Sequence, residues 1–249
     1  MNTVHTPTSA ASSPGAPPVR WAALAGWISI AQGLLIFIPM IVLGAAINWP
    51  ESLSDPADIA LPRLLENEGA VRFGYVAYLA YSILFAVTMT LLVRYVRGAA
   101  LGVLAAIIIG FAMISTLARS IGIVRWLVPA PALAESYAAA PGDTERVAIS
   151  VVFDSLNTYG GTIGEVLGVS IFAAVSIGLL SITAIRTRAL PMWLGVFGLI
   201  AALAVLSTTV ELFGADASSL IFFGTTLVQV WFLAAGIWLI VRGRRRTPN

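Results

Sequence analysis

Six stretches of this chain are apolar over more residues than a bilayer is thick. A helix rises about 1.5 Å per residue, so about 20 apolar residues cross the roughly 30 Å hydrocarbon core. The stretches cover 21–47, 71–93, 99–127, 160–185, 190–213 and 219–241. Lipid offers no hydrogen-bond partners, so each stretch must satisfy its backbone internally, as a helix, or join a closed barrel. A barrel would show short segments of alternating polarity, and none occurs here. The expected fold is all-α, a polytopic membrane bundle of six transmembrane helices. Charge usage agrees: 10% of residues are charged, against about 25% in soluble domains.

Two tails flank this 21–241 domain. Residues 1–20, rich in Ser, Thr, Ala and Pro, read as a disordered tail. The first apolar run is too long for a signal-peptide core, so its retention is expected. Residues 242–249 form a basic tail. The loops sort by charge. One side holds Arg20, Arg94, Arg97, Arg186, Arg188 and the C-terminal arginines, without an acid. The other holds Glu51, Asp55, Asp58, Glu66, Glu68, Glu135, Asp143, Glu145 and Asp216, against Arg63 and Arg146. The positive-inside rule then predicts both termini in the cytoplasm. It also accounts for the surplus of Arg without nucleic acid as a partner. The lipid bilayer is the partner the composition requires. A homo-oligomer or a partner membrane protein is compatible with it.

Several chemistries are closed to the chain. It has no Cys, no Lys and a single His, His5 in the N-terminal tail. That rules out a thiolate nucleophile, a Cys/His zinc site and a Schiff-base lysine. No HExxH, GxSxG or GxxxxGK[ST] pattern occurs. No catalytic residue, metal or cofactor is expected.

The informative residues are charges inside the apolar runs. Arg72, Arg119, Glu165 and Glu211 each lie about 21 residues from the inner end of a different span. That is about 30–33 Å, the outer edge of the hydrocarbon. Charges at such depth face the bundle interior and pair with one another. The expectation is a ring in which Arg72 and Arg119 pair with Glu165 and Glu211. Tyr75, Arg125 and Asp154 would line an outer vestibule. Gly160, Gly164 and Gly168 recur every four residues and stack on one helix face. Such stripes let helix backbones approach closely in lipid. Gly102, Ala106 and Gly110 form a comparable stripe.

Two outer segments are more than turns. The stretch around "DPADIALPRLLENEG" predicts a short interfacial helix. A helix from Thr144 to Arg186 would be about 63 Å long, twice the hydrocarbon core. It must protrude, tilt or break, with a kink expected at Gly160-Gly161.

The run "RTRALPMWLGVFGLIAAL", Arg186 to Leu203, places Pro191, Trp193 and Leu194 after a basic loop and before Gly198, Leu199 and Ile200. It resembles a segment of a bacterial six-span membrane family catalogued as a domain of unknown function, the DUF4386 type. The acidic loop after span one is similar in kind. The resemblance implies a bacterial cytoplasmic (inner) membrane location and this fold, with no catalytic residues to carry over. The expected function is that of an integral membrane protein whose charged ring locks the bundle, an accessory or sensor protein. The alternative is small-molecule binding or proton-coupled transport through an outward-facing pocket. A solvent-connected cavity at Glu165 would favour the alternative.

Overall fold

A computed structural model describes residues 19–97, 102–215 and 217–244. The tail over 1–18, the inner loop at 98–101, Asp216 and the tail from 245 lie outside the described residues. Among the described residues every regular element is helical, and six helices are long and apolar enough to cross a membrane.

The first span is α1 (Val19–Leu35) followed by α2 (Phe37–Ile47). The break between them has a local cause. Pro39 has no N–H to offer the carbonyl of Leu35, one turn back. Asn48 ends α2 in the left-handed conformation, φ 58°. Its N–H closes on the Gly44 carbonyl at 3.1 Å, and Asn is among the few residues that adopt this geometry readily. α3 (Ala57–Glu66) is the short helix expected in the acidic loop. It buries Ala57, Ala60, Leu61 and Leu64, one face at helical spacing. That face packs on protein, chiefly on α6 (Pro129–Ala139).

Span two is α4 (Glu68–Arg97) and span three is α5 (Val103–Leu127), which α6 extends after a joint at Val128. Span four begins as α7 (Asp143–Gly161), and α8 (Ala174–Thr187) ends it. Between them Thr162–Ala173 winds as a π-helix, with bonds five residues apart rather than four. The expected kink at Gly160-Gly161 is instead a change of winding within one 45-residue helix, Asp143–Thr187. Its excess length stands beyond the bundle, where α7 packs on α6 and α3. α9 (Met192–Leu206) with a 3-10 turn (Ser207–Phe213) makes span five, and α10 (Ser218–Arg244) makes span six.

Each span packs against the next, and α10 closes on α1, so the six form a ring in chain order. Two apolar cores result. The larger joins α4, α5, α8, α9 and α10 around Phe85, Met89, Ile177, Leu194 and Trp231. Trp231 also donates to the Leu194 carbonyl at 3.1 Å. The smaller core lies at the end away from the termini, here called distal. It joins α2, α3, α6 and α7 to the distal ends of α4 and α5 through Leu43, Leu61, Tyr75, Trp126 and Phe153. We call that assembly the cap. Large apolar side chains such as Ile41, Leu117, Leu203 and Phe222 face outward, each at least 62% exposed. In water such a surface would aggregate, and in a bilayer it is the lipid contact.

A tight seam joins α5 to the π segment. A Cβ on Gly122 would stand 2.9 Å from both the Gly160 carbonyl and the Gly164 Cα. Those are backbone atoms, which cannot swing aside. A Cβ on Gly110 would meet nothing within 4 Å, so the stripe expected over Gly102 to Gly110 is not a seam at Gly110. Gly122→Ala should therefore cost about 1–3 kcal/mol. Gly110→Ala should be neutral or slightly stabilising, through helix propensity. Unfolding midpoints in detergent micelles compare the two.

Candidate functional site

The charges inside the bundle lie in its distal half, but they do not form the expected ring. Arg72 lies in the first turns of α4, exposed, and pairs with Glu68 at 2.6 Å across one helical turn. Arg119 is 5% exposed and, among the described residues, forms no ion pair. Glu211 sits on the 3-10 turn, exposed, also without an ion pair among the described residues. Only Glu165 finds a cation there. That cation is Arg125, at 3.6 Å.

Side-chain direction explains the exchange. A helical side chain leans toward its own N-terminus and covers the turn before its Cα. On α5 that direction runs away from the cap. Arg119 reaches back one turn, so its Nη2 donates to the Ser82 carbonyl at 3.4 Å. The Thr116 hydroxyl donates to that same carbonyl at 3.0 Å. The guanidinium lies 4.5 Å from the centre of the Phe85 ring and 5.6 Å from that of Tyr81. It has moved away from Glu165. Arg125 reaches back in the same way and donates through Nη1 to the Gly122 carbonyl at 3.0 Å. That brings it to the level of Gly164 and Glu165. Arg72 is excluded by height, about 14 Å along α4 from Tyr81, the neighbour of Arg119.

The glycines of span four make this possible. A Cβ on Gly160 would meet the Arg125 Cδ at 2.8 Å, and one on Gly168 would meet the Arg119 Cγ at 2.8 Å. Between them Gly164 faces Gly122. The stripe thus packs two arginine stems and one backbone crossing. The π winding is held from both sides. Ser115 donates to the Gly168 carbonyl at 2.7 Å, and Ser170 donates to the Glu165 carbonyl at 3.1 Å. Ser170 also bonds Thr208, tying the π segment to the 3-10 turn.

Arg125 is the centre of the site. Its Nε donates to the Asn157 Oδ1 at 3.2 Å, and Asn157 in turn donates to the Leu53 carbonyl at 2.8 Å. One guanidinium so connects α5, α7, the π segment and the loop ahead of α3. Its side chain is 10% exposed and that of Glu165 is 42% exposed. Tyr75 stacks on Trp126 with ring centres 5.3 Å apart and planes at 2°. Asp154 is exposed on α7 and forms no ion pair among the described residues. A shallow cleft with room for little more than a water molecule opens beside the network, lined by Arg125, Trp126, Leu133, Phe153, Leu156 and Asn157 among others. Glu165 is not part of its lining. Among the described residues no group of three His, Cys, Asp or Glu could hold a metal ion.

Sequence reasoning missed Asn157 as a member of the cluster. Tyr78 lies within electrostatic range of Glu165, Arg119 and Arg125. Tyr81 accepts from Gln229 of α10 at 2.7 Å. The spacing of Tyr75, Tyr78 and Tyr81 along α4 was the available signal. Asn157 had none, being one polar residue among several in "FDSLNTYGG".

Asn157→Ala removes both bonds of the amide and leaves a carbonyl and a guanidinium N–H unpaired, so it should cost about 1–3 kcal/mol. Arg72→Ala removes an exposed helical pair and should stay within about 0.5 kcal/mol of wild type. Chemical unfolding of the two variants in micelles checks the contrast.

No curated protein and no solved structure matches the chain. A family match covers residues 24–243, and the chain belongs to that family, described as Domain of unknown function (DUF4386).

Proposed function

We propose that this integral membrane protein is an accessory or sensor protein whose distal charge cluster locks the cap onto the membrane bundle. The observation that carries this reading is the reach of Arg125, which bonds Gly122 and Asn157 and pairs with Glu165. Of the expected ring, Glu165 takes part in that lock directly. Arg72 and Glu211 stand outside it. Arg119 lies below it, toward the termini.

The loop charges support a cytoplasmic placement of both termini, which makes the cap the outward face. Family resemblance supports a bacterial inner membrane. A sensor role draws on the cleft beside Arg125 and Asn157. An occupant there would touch the same guanidinium and amide that fasten the cap. Transport is the weaker reading, because the cleft has room for little more than a water molecule, far below the roughly 300–1,000 Å³ of ordinary small-molecule pockets.

Because the chain has no Cys, single introduced cysteines report cleanly. Ala134 is 1% exposed in the cap and Ala174 is 3% exposed in the membrane core. On an Arg125→Met background, Ala134→Cys should become reactive to a water-soluble maleimide, while Ala174→Cys stays protected. Unchanged protection of Ala134→Cys would refute the lock. For orientation, Ser136→Cys should label in intact cells with an impermeant reagent, and Thr187→Cys only after the membrane is opened.

A further inference from the structure

Arg119 stands apart from the lock and raises a separate question. It is a full positive charge, 5% exposed, inside a bundle whose outer surface meets lipid. Among the described residues no carboxylate pairs with it. Its neighbours are two aromatic faces, the neutral hydroxyls of Tyr81 and Tyr78, and one carbonyl at the long limit of a hydrogen bond. Among the described residues the guanidinium Nε has no hydrogen-bond partner. Aromatic faces and a carbonyl soften a buried cation, but they do not neutralise it.

The surroundings are rich in donors and poor in negative charge. Tyr81 accepts from Gln229 and so keeps its own O–H free to donate. The hydroxyl of Ser82, on the residue whose carbonyl Arg119 touches, is buried without a partner. The carboxylates of the wider cluster are engaged elsewhere: Glu165 pairs with Arg125, and Glu211 lies within electrostatic range of Glu165.

A counter-charge must therefore come from outside the chain, and burial limits what can supply it. A carboxylate on a partner helix or a lipid phosphate cannot reach a side chain that is 95% covered. A group near the size of a water molecule can. We propose that Arg119, Tyr81 and Ser82 form a site for one small monovalent inorganic anion of the halide class. The site is independent of the Arg125 lock and lies toward the termini from it.

The test uses the full-length protein in detergent micelles, with gluconate as the starting anion and chloride replacing it at constant ionic strength. A ligand that binds only the folded state raises the unfolding midpoint with its concentration. The wild type should show a saturable rise with chloride. Arg119→Gln should lose the rise, and Arg125→Gln should keep it. Arg119→Lys keeps the charge but loses the planar fork, so its half-saturating chloride concentration should rise by about tenfold or more. It serves in place of Arg119→Gln if that variant does not fold. A wild type indifferent to chloride overturns the proposal. So does an equal rise in Arg119→Gln, or a response that emerges only in Glu165→Gln, which would make Glu165 the counter-ion of Arg119.

Discussion

The distal half of this protein depends on one close approach, the crossing of α5 and the π segment at Gly122 and Gly164. In lipid there is little hydrophobic drive between helices, so contact area at short range must do that work. The absence of a side chain at the crossing brings the two backbones together. It also leaves slots on either side, one at Gly160 and Gly161 for Arg125, the other at Gly168 for Arg119. The arginines are consequently held by their stems before any charge is considered. With a wider crossing, the Arg125 stem would lose its packing against Gly160 and Gly161, and the Arg119 stem its packing against Gly168.

The cap then becomes a second layer with its own core, joined to the bundle through a few polar contacts. Tyr75, Trp126 and Phe153 give it apolar cohesion, with Trp126 stacked on Tyr75 and edge-on to Phe153. What fixes its register against the bundle is directional. The chain from Gly122 through Arg125 and Asn157 to the Leu53 carbonyl runs from one layer into the other. Apolar packing alone would tolerate sliding between layers, whereas a run of bonded donors and acceptors admits one arrangement.

The six spans were legible because length and apolarity in lipid leave a single solution, a helix. The short helix α3 was legible from two prolines and one apolar face. The depth of the charged residues was legible only at the level of the Cα atoms. Glu165 and Arg119 do stand at nearby heights on adjacent helices. An arginine is long enough for its charge to sit a full turn from its Cα, and the direction of that turn depends on which way the helix runs. Counting residues does not supply this, so the sequence pairs Arg119 with Glu165 and sets Arg125 above it. The π winding was not legible either. It is secured by Ser115 and Thr208, which come from other spans and meet the segment only in the folded bundle.

This arrangement also explains why a carboxylate is tolerated in so apolar a run. Glu165 is the weakest member of the lock that fastens the cap. Its oxygen is 3.6 Å from the guanidinium, beyond a good hydrogen bond, and its side chain is 42% exposed. An ion pair of that geometry adds little stability. The bonds that hold Arg125 in place run to Gly122 and Asn157 instead. Glu165 contributes charge balance to an arginine already positioned by others. It also lies within electrostatic range of Glu211, a like charge on the neighbouring turn. A carboxylate 3.6 Å from its cation and in range of a second carboxylate has little to bind it to one position. Within the cluster, Glu165 is the member free to move, and the arginines and the amide are the members that stay.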